Sequence, residues 1–447
     1  MQCFQNKECR REAAEWIIRM NHFRNKKLLI LGGNAETVPL VQVANAMGVE
    51  TIVSSSNPES MAKSCAVKKY DADATDVAAM VAIAKAENVD GVLPGTDDLF
   101  VPAYCKVCDV LGLPCYANDE IIEVFSYKDC FKATCERYGI HSVPEYYLDA
   151  SLNPRDLARI HYPVMVKPVD CYSGIGMTEC ASEEELRPAV AKAIAASNSG
   201  RFIVEKLMTS DDVGLYYTFK DGECSLSCIF DRYTCAEQRG GSRVALGNIY
   251  PSKHIGDYYE RMHAGALRLF KAMGIKNGVL LIQAFYEDGE FYVYDTGFRL
   301  QGEASNLIIE HFCGYDQRRL LVNFALTGSE GELDLLSADA PDLRGRFAAS
   351  VWFLLREGTV ARIEGLENIS QDARVIACVQ RLFTGDEVLP AWIGNEQQVM
   401  LRLFLACDTK ADLAAAIKDY QDKIKAFDAS GSSMLLSGFD AAAALEV

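Results

Sequence analysis

The stretch Val293–Glu303, VYDTGFRLQGE, places Asp295, Gly297, Arg299, Gln301 and Glu303 at every second position. Alternate side chains of an extended chain share a face. An acid, a base, an amide and a second acid would then line one wall, either as a solvated sheet face or as part of a site. Upstream, YPVMVKPVDCYSGIGM ends an apolar strand at Lys167 and runs into a loop holding Ser173, Gly174 and Gly176. Backbone amides of a glycine-rich loop cradle phosphates, and a lysine supplies the countercharge. The Lys167 charge would point out of the sheet beside this loop; the alternative is a surface lysine next to a flexible turn. Lys128, on a predicted helix, is a second candidate cation or a solvated helix residue. FIVEKLM ends another apolar strand at Glu205, Lys206, Leu207 and Met208, where freed backbone groups could read the edge of an adenine. The segment EQRGGSRVALGNIYPSKH adds Arg239, Arg243, Lys253 and His254, which suit a carboxylate or an exposed loop equally.

Regular elements must position these residues. Apolar spacing at Ala13, Trp16, Ile17 and Met20 predicts a short helix over 10–23. Beyond it, KKLLILGG, VETIVSSS, DGVLPG and LPCY read as strands, alternating with helices around PLVQVANAMG, TDVAAMVAIAKAENV and DLFVPAYCKVCDVLG. Such alternation builds a parallel sheet covered by helices. From about 127 the pattern changes to two hairpins, turning at Lys220–Glu223 and at Asp288-Gly289, with helices between them. The remainder mixes strands with a last helix whose apolar face is Leu413, Ile417, Tyr420, Ile424 and Phe427. The divisions are 1–25, a helical extension; 26–126, a Rossmann-like parallel-sheet domain; 127–330, the main α+β domain; 331–440, a smaller mixed domain; and 441–447, AAAALEV, which reads as an appended tail.

The chain has 447 residues, 49% hydrophobic and 24% charged, with a net charge of −17. This is the composition of an ordinary globular protein with a sizeable core; its class, α/β followed by α+β, comes from the order of strands and helices. Its acidity disfavours a nucleic-acid or anionic-membrane partner. No apolar run approaches the ~20 residues of a membrane span. The opening MQCFQNKECRREAAEW is charged where an export signal is apolar, so the expected location is cytoplasmic. The sixteen cysteines are scattered. Cys105, Cys108 and Cys115 have zinc-like local spacing, but no second pair completes a site, and they read as structural thiols.

In chain order the candidate residues are a lysine on a helix, a lysine before a glycine loop, a strand ending Glu-Lys-Leu-Met, a hairpin carrying Gln283 and Asp295, and Arg299. This order resembles the ATP-grasp superfamily over about residues 26–430, including the Rossmann-like domain that precedes the grasp in biotin carboxylase, carbamoyl-phosphate synthetase and amino-acid ligases. No GxxxxGK[ST] occurs, so a P-loop is not the source of nucleotide binding. The resemblance implies that Lys128 and Lys167 contact ATP phosphates, that the loop with Ser173, Gly174 and Gly176 closes over them, that Glu205, Lys206, Leu207 and Met208 hold adenine, and that Asp212 meets the ribose. Gln283 and Asp295 would ligate Mg²⁺ (or Mn²⁺). Arg299 would neutralise the phosphoryl group and an acyl phosphate, with Gln301 and Glu303 on the substrate side. Arg243, Lys253 and His254 would face a carboxylate substrate. Gly297 departs from the pattern, which has a metal-binding Asn there; a second metal would then be held more weakly, or by water or Glu303.

The implied activity is an ATP-dependent carboxylate–amine ligase that forms an amide through an acyl phosphate and releases ADP and phosphate. Its partners would be a small-molecule carboxylate and an amine, and a homodimer is compatible with the resemblance. Two other readings stand. One is a bicarbonate-activating carboxylase or carbamoyl-phosphate-like enzyme, suggested by Arg299-x-Gln301-x-Glu303, although Ala304 replaces the histidine of biotin carboxylase. The other is a nucleotide-binding scaffold with weak or lost turnover, suggested by Gly297.

Overall fold

The computed structural model describes residues 23–171, 174–235 and 244–446. The expected helix residues Ala13, Trp16, Ile17 and Met20, and the candidates Ser173, Arg239 and Arg243, lie outside the described residues.

The first unit contains β1 (Lys27–Leu31), α1 (Val38–Ala46), β2 (Glu50–Ser54), β3 (Lys68–Tyr70), α2 (Val77–Glu87) and β4 (Gly91–Pro94). The strands form a parallel sheet in the order β3-β2-β1-β4. Leu28 to Leu31 are fully buried, as a strand covered on both faces requires. The edge strand β3, Lys-Lys-Tyr, carries no apolar run and gave no strand signal in the sequence. The turn Asp98–Phe100 leads into α3 (Val101–Leu111). The expected strand LPCY joins no sheet; instead the Tyr116 N–H donates to Tyr104 Oη at 3.1 Å.

Two helices follow, α4 (Asp119–Ser126) and α5 (Lys128–Arg137). A small antiparallel sheet, β6-β5-β7, is built from β5 (Val164–Pro168), β6 (Thr178–Cys180) and β7 (Phe202–Lys206), with α6 (Glu183–Ala196) packed on it. It has its own core of Val164, Val166, Leu186, Val190 and Val204.

The large antiparallel sheet begins with β8 (Asp211–Lys220), β9 (Glu223–Thr234) and β10 (Ala245–Tyr250). After α7 (Ile255–Arg261) and α8 (His263–Ala272) come β11 (Gly278–Glu287) and β12 (Glu290–Gly297). Helix α9 (Gln317–Thr327) returns to the parallel sheet, where a Cβ at Gly91 would strike the Ala325 carbonyl. Strands β13 (Phe347–Leu354), β14 (Val375–Gln380) and β15 (Val399–Cys407) complete the sheet in the order β12-β11-β8-β9-β10-β13-β15-β14. Because β10 pairs with β13, Gly247 opposite Val351, the division expected near 330 falls inside one continuous sheet. The division near 126 likewise crosses one core, which joins Leu29 and Phe125 to Phe131, Leu215, Ile282 and Val322.

Helix α10 (Lys410–Lys423) buries Leu413, Ile417 and Tyr420; Phe427 lies beyond it in a short strand, Lys425–Phe427. The last residues do not hang off as an appended tail. Ala441–Leu445 form a 3₁₀ turn with Ala443 and Ala444 buried beside α10. Among the described residues no helix is long and apolar enough to cross a membrane.

Candidate active site

The hairpin β11–β12 sets the register of the site. Gln283 lies opposite Asp295, and the side chains at 295 and 297 share the same strand face. The strand ends at Gly297, so the five alternating residues do not make one wall. The chain turns instead, and the Gln301 Nε2–H donates to the carbonyls of Gly297 (3.0 Å) and Arg299 (3.2 Å).

Two lysines approach this hairpin. Lys128 opens α5; its Nζ lies 3.1 Å from Asp295 Oδ1 and donates to the Cys171 carbonyl at 2.7 Å. Burial opposes its charge, but Asp295, together with Asp98 and Glu205, outweighs that cost and raises its pKa. Lys167 was expected to point out of the sheet. It is buried, with its Nζ 2.6 Å from Glu205 Oε2 and 5.3 Å from the centre of the Tyr294 ring.

Glu205 is fully buried, and Lys132 grips its other oxygen. Burial pushes its carboxyl up, yet Lys167 and Lys132 together hold it below the ordinary range. Its side chain therefore faces these cations rather than the rim where adenine was expected. Lys132 was missed in the sequence; its signal is the i, i+4 spacing that puts it on the same helix face as Lys128. Of the other expected adenine contacts, the Lys206 side chain turns to Glu287 at 2.6 Å. The N–H groups of Lys206 and Leu207 donate to the carbonyls of Pro144 (2.9 Å) and Pro163 (3.2 Å), and Met208 is buried. Asp212 receives the Tyr294 hydroxyl at 2.9 Å and lies 3.8 Å from Arg232. Burial pushes its carboxyl up to about 6.

Arg299 is buried, and its Nη2 binds Asp98 of the parallel-sheet unit. Its Nη1 binds Gln301 Oε1 and, at 3.1 Å, the Leu300 carbonyl. Glu303 turns to Arg232 at 3.3 Å rather than to Gly297. A Cβ at Gly297 would lie 2.9 Å from Asp98 Oδ1 and 2.8 Å from Gln301 Nε2.

Further residues join from both ends of the chain. Glu36, in the turn after β1, meets Arg381 Nη2 at 2.8 Å and packs against Gly302, where a Cβ would lie 2.7 Å from its Cγ. Arg402 Nη1 binds the Gly302 carbonyl, and its Nη2 lies 2.9 Å from Glu396. Asp98, Arg232, Arg381 and Arg402 stand in apolar or turn segments with no motif of their own, and sequence reasoning missed them. The cations proposed for a carboxylate substrate are committed elsewhere: Lys253 Nζ (3.0 Å) and His254 Nε2 (2.9 Å) both hold Asp211, and the His254 ring stacks on Tyr286.

Asp97, beside Asp98, has its carboxyl pushed by burial from 3.8 to about 6, with Arg299 offsetting only part of the cost. The folded protein thus holds this proton more tightly than the unfolded chain. Its stabilisation is complete below about pH 4 and is lost as pH rises through about 6. Asp97→Asn, neutral throughout, raises Tm relative to wild type above pH 6, and the gain vanishes near pH 4. A pH-independent Tm difference would contradict this burial.

Residues 149–296 match the family model described as the D-ala D-ala ligase C-terminus. The carbamoyl phosphate synthase large chain of Clostridium beijerinckii is 27% identical over 300 residues, 62% of this chain and 27% of that protein, so the chain spans about a quarter of that relative's length. An L-amino acid ligase from Bacillus licheniformis superposes with a TM-score of 0.72 at 18% identity, covering 91% of this chain and 99% of that one. The biotin carboxylase domain of Hydrogenobacter thermophilus 2-oxoglutarate carboxylase, solved with MgADP and bicarbonate, gives 0.72 at 17% identity, covering 92% and 91%. Residues 149–296 are thus similar to an ATP-grasp ligase domain, and the fold over nine-tenths of the chain is the one those ligases and carboxylases share.

ATP-grasp proteins use ATP and Mg²⁺, and the residues here fit both. Lys128 and Lys167 are buried cations beside the hairpin, one at Asp295 and the other over the Tyr294 ring. Gly174 and Gly176 adopt φ of 73° and 75°, and a Cβ at Gly176 would press on Pro168 at 2.9 Å, so the loop needs glycine there. Asp295 keeps 31% of its side chain exposed, and the half-buried Gln283 amide makes no hydrogen bond among the described residues. Oxygen donors of this kind suit Mg²⁺, which takes one or two carboxylates and completes its shell with phosphates and water. No three His, Cys, Asp or Glu side chains among the described residues form a metal cage of their own.

Proposed function

We propose that this protein is an ATP-dependent carboxylate–amine ligase of the ATP-grasp type, acting on small molecules in the cytoplasm. ATP would phosphorylate a substrate carboxylate, and an amine would attack the acyl phosphate to give an amide, ADP and phosphate. Lys128 and Lys167 would hold the nucleotide phosphates, while Gln283 and Asp295 would hold Mg²⁺, which neutralises phosphate charge. One observation carries the reading: Arg299, next to the hairpin that bears Asp295, already grips a carboxylate, that of Asp98. A substrate carboxylate presented there would lie beside the phosphate-binding lysines. Positioning and fixed charge would then do most of the catalysis.

The test has two parts. MgADP at ~100 times its dissociation constant should stabilise the fold by roughly 2.7 kcal/mol; a melting curve indifferent to millimolar MgADP sinks the nucleotide site. A screen of carboxylates with hydroxylamine, which traps an acyl phosphate as a hydroxamate, should give ATP-dependent hydroxamate. ATP cleavage driven by bicarbonate alone, with no hydroxamate, would instead establish the carboxylase-like reading. Nucleotide binding with no turnover under any pairing would establish the scaffold.

A further inference from the structure

We infer that Asp98, carried by the parallel-sheet unit, is a metal ligand in this site, supplying the oxygen that Gly297 does not. The inference rests on the MgATP reading above. Position 297 lies two residues from Asp295 on the same strand face. A side chain there would project beside the Asp295 carboxylate, and Asp98 Oδ1 occupies that place, 2.9 Å from where a Cβ at 297 would begin. The other carboxylate oxygen, Oδ2, is tied to Arg299. That anchor leaves Oδ1 directed at the hairpin with no hydrogen bond among the described residues. Glycine at 297 is thus matched by an oxygen delivered from another part of the chain.

The donor set becomes Asp295 and Asp98 as carboxylates with Gln283 as a neutral carbonyl. Two carboxylates plus nucleotide phosphates are what a small hard dication takes. The arrangement also couples metal entry to the two cations that matter for chemistry. Lys128 now neutralises Asp295, and Arg299 now neutralises Asp98. Asp295 and Asp98 would hold the dication, whose charge would offset theirs, so that Lys128 and Arg299 could also serve the phosphates and the substrate carboxylate. Because Asp98 precedes α3 while Gln283 and Asp295 sit on the large sheet, the metal is held jointly by the two units.

Mn²⁺ serves as the probe, titrated into the full chain with saturating ADP and followed by the electron paramagnetic resonance of free Mn²⁺; ADP affinity without metal is measured by calorimetry. Asp98→Ala should weaken Mn²⁺ binding roughly tenfold or more and leave metal-free ADP binding within twofold. Asp98→Asn, which keeps an oxygen but not the charge, should fall between. Gly297→Asn added to Asp98→Ala should recover most of the loss, since the removed carboxylate clears one of the two close neighbours of a Cβ there and the other, Gln301 Nε2, ends a flexible side chain. Wild-type Mn²⁺ affinity in Asp98→Ala overturns the inference. So does a loss that Gly297→Asn fails to recover, because Asp98 would then be only a prop for Arg299. If Asp98→Ala does not fold, Asp98→Asn carries the test, and unchanged Mn²⁺ affinity there overturns it. A wild-type protein that binds no ADP at all sinks the nucleotide reading together with this one. Wild-type ADP binding with indifferent Asp98 variants sinks this one alone.

Discussion

Replacing Arg299 by lysine lowers turnover by about 10²–10³-fold and leaves MgADP binding intact. The guanidinium makes three contacts at once, to Asp98, Gln301 and the Leu300 carbonyl. A planar fork holds that geometry; an ammonium on a flexible stem is a point charge and cannot. Lys128 and Lys167 stand on α5 and β5, so nucleotide affinity has separate supports. Hydroxamate formation with the carboxylate found by screening, alongside calorimetric titration of MgADP, measures both quantities. Normal turnover in Arg299→Lys would make this residue a tie for the 298–303 turn.

Glu205→Gln costs about 3–5 kcal/mol of stability, the larger structural effect expected. Its carboxylate is the shared counter-ion of Lys132 and Lys167, and all three side chains are at most 6% exposed. Removing one partner of a buried ion cluster leaves charge without compensation, which is far worse than never having buried it. The sign with pH follows from the depressed carboxyl of Glu205. Its contribution is present above the ordinary carboxylate range and disappears as pH falls through the lowered folded-state value. Urea unfolding of both proteins at pH 7 and at acid pH checks this. A loss below about 1 kcal/mol would mean that Glu145, 3.1 Å from Lys132, takes over.

The parallel sheet and both hairpins were legible because their strands are long apolar runs closed by glycine turns. Asp288-Gly289 falls at the β11–β12 turn as expected. β3 was not, since an edge piece of three residues carries little period. Among site residues, Lys128, Lys167, Gln283, Asp295 and Arg299 could be located by order and spacing. What could not be read was direction. Glu205 at a strand end looked like a rim residue, and only the pairing of β5 with β7 turns it toward the lysines. Lys253 and His254 looked like free cations, and only the fold brings Asp211 to them. Asp98 and Arg402 lie some 200 and 100 positions from their partners in the 299–303 turn, and nothing local in a sequence records such a meeting.

The unbroken pairing of β10 with β13 bears on how this chain is made and handled. A ribosome that has released the polypeptide only as far as the 330s leaves β10 with one row of N–H and C=O groups unmated. β13 mates that row about twenty residues later, but its own far edge then faces water until β15 emerges about fifty residues after it. An open, apolar edge of this kind recruits other strands. A piece cut at the apparent inter-domain junction would inherit the same defect permanently, and would lack Arg402, which fastens the Gly302 carbonyl. The working unit for expression, splitting or fusion is therefore the sheet rather than the sequence-defined domain, and the surface loops around it, not residue 330, are the places to cut.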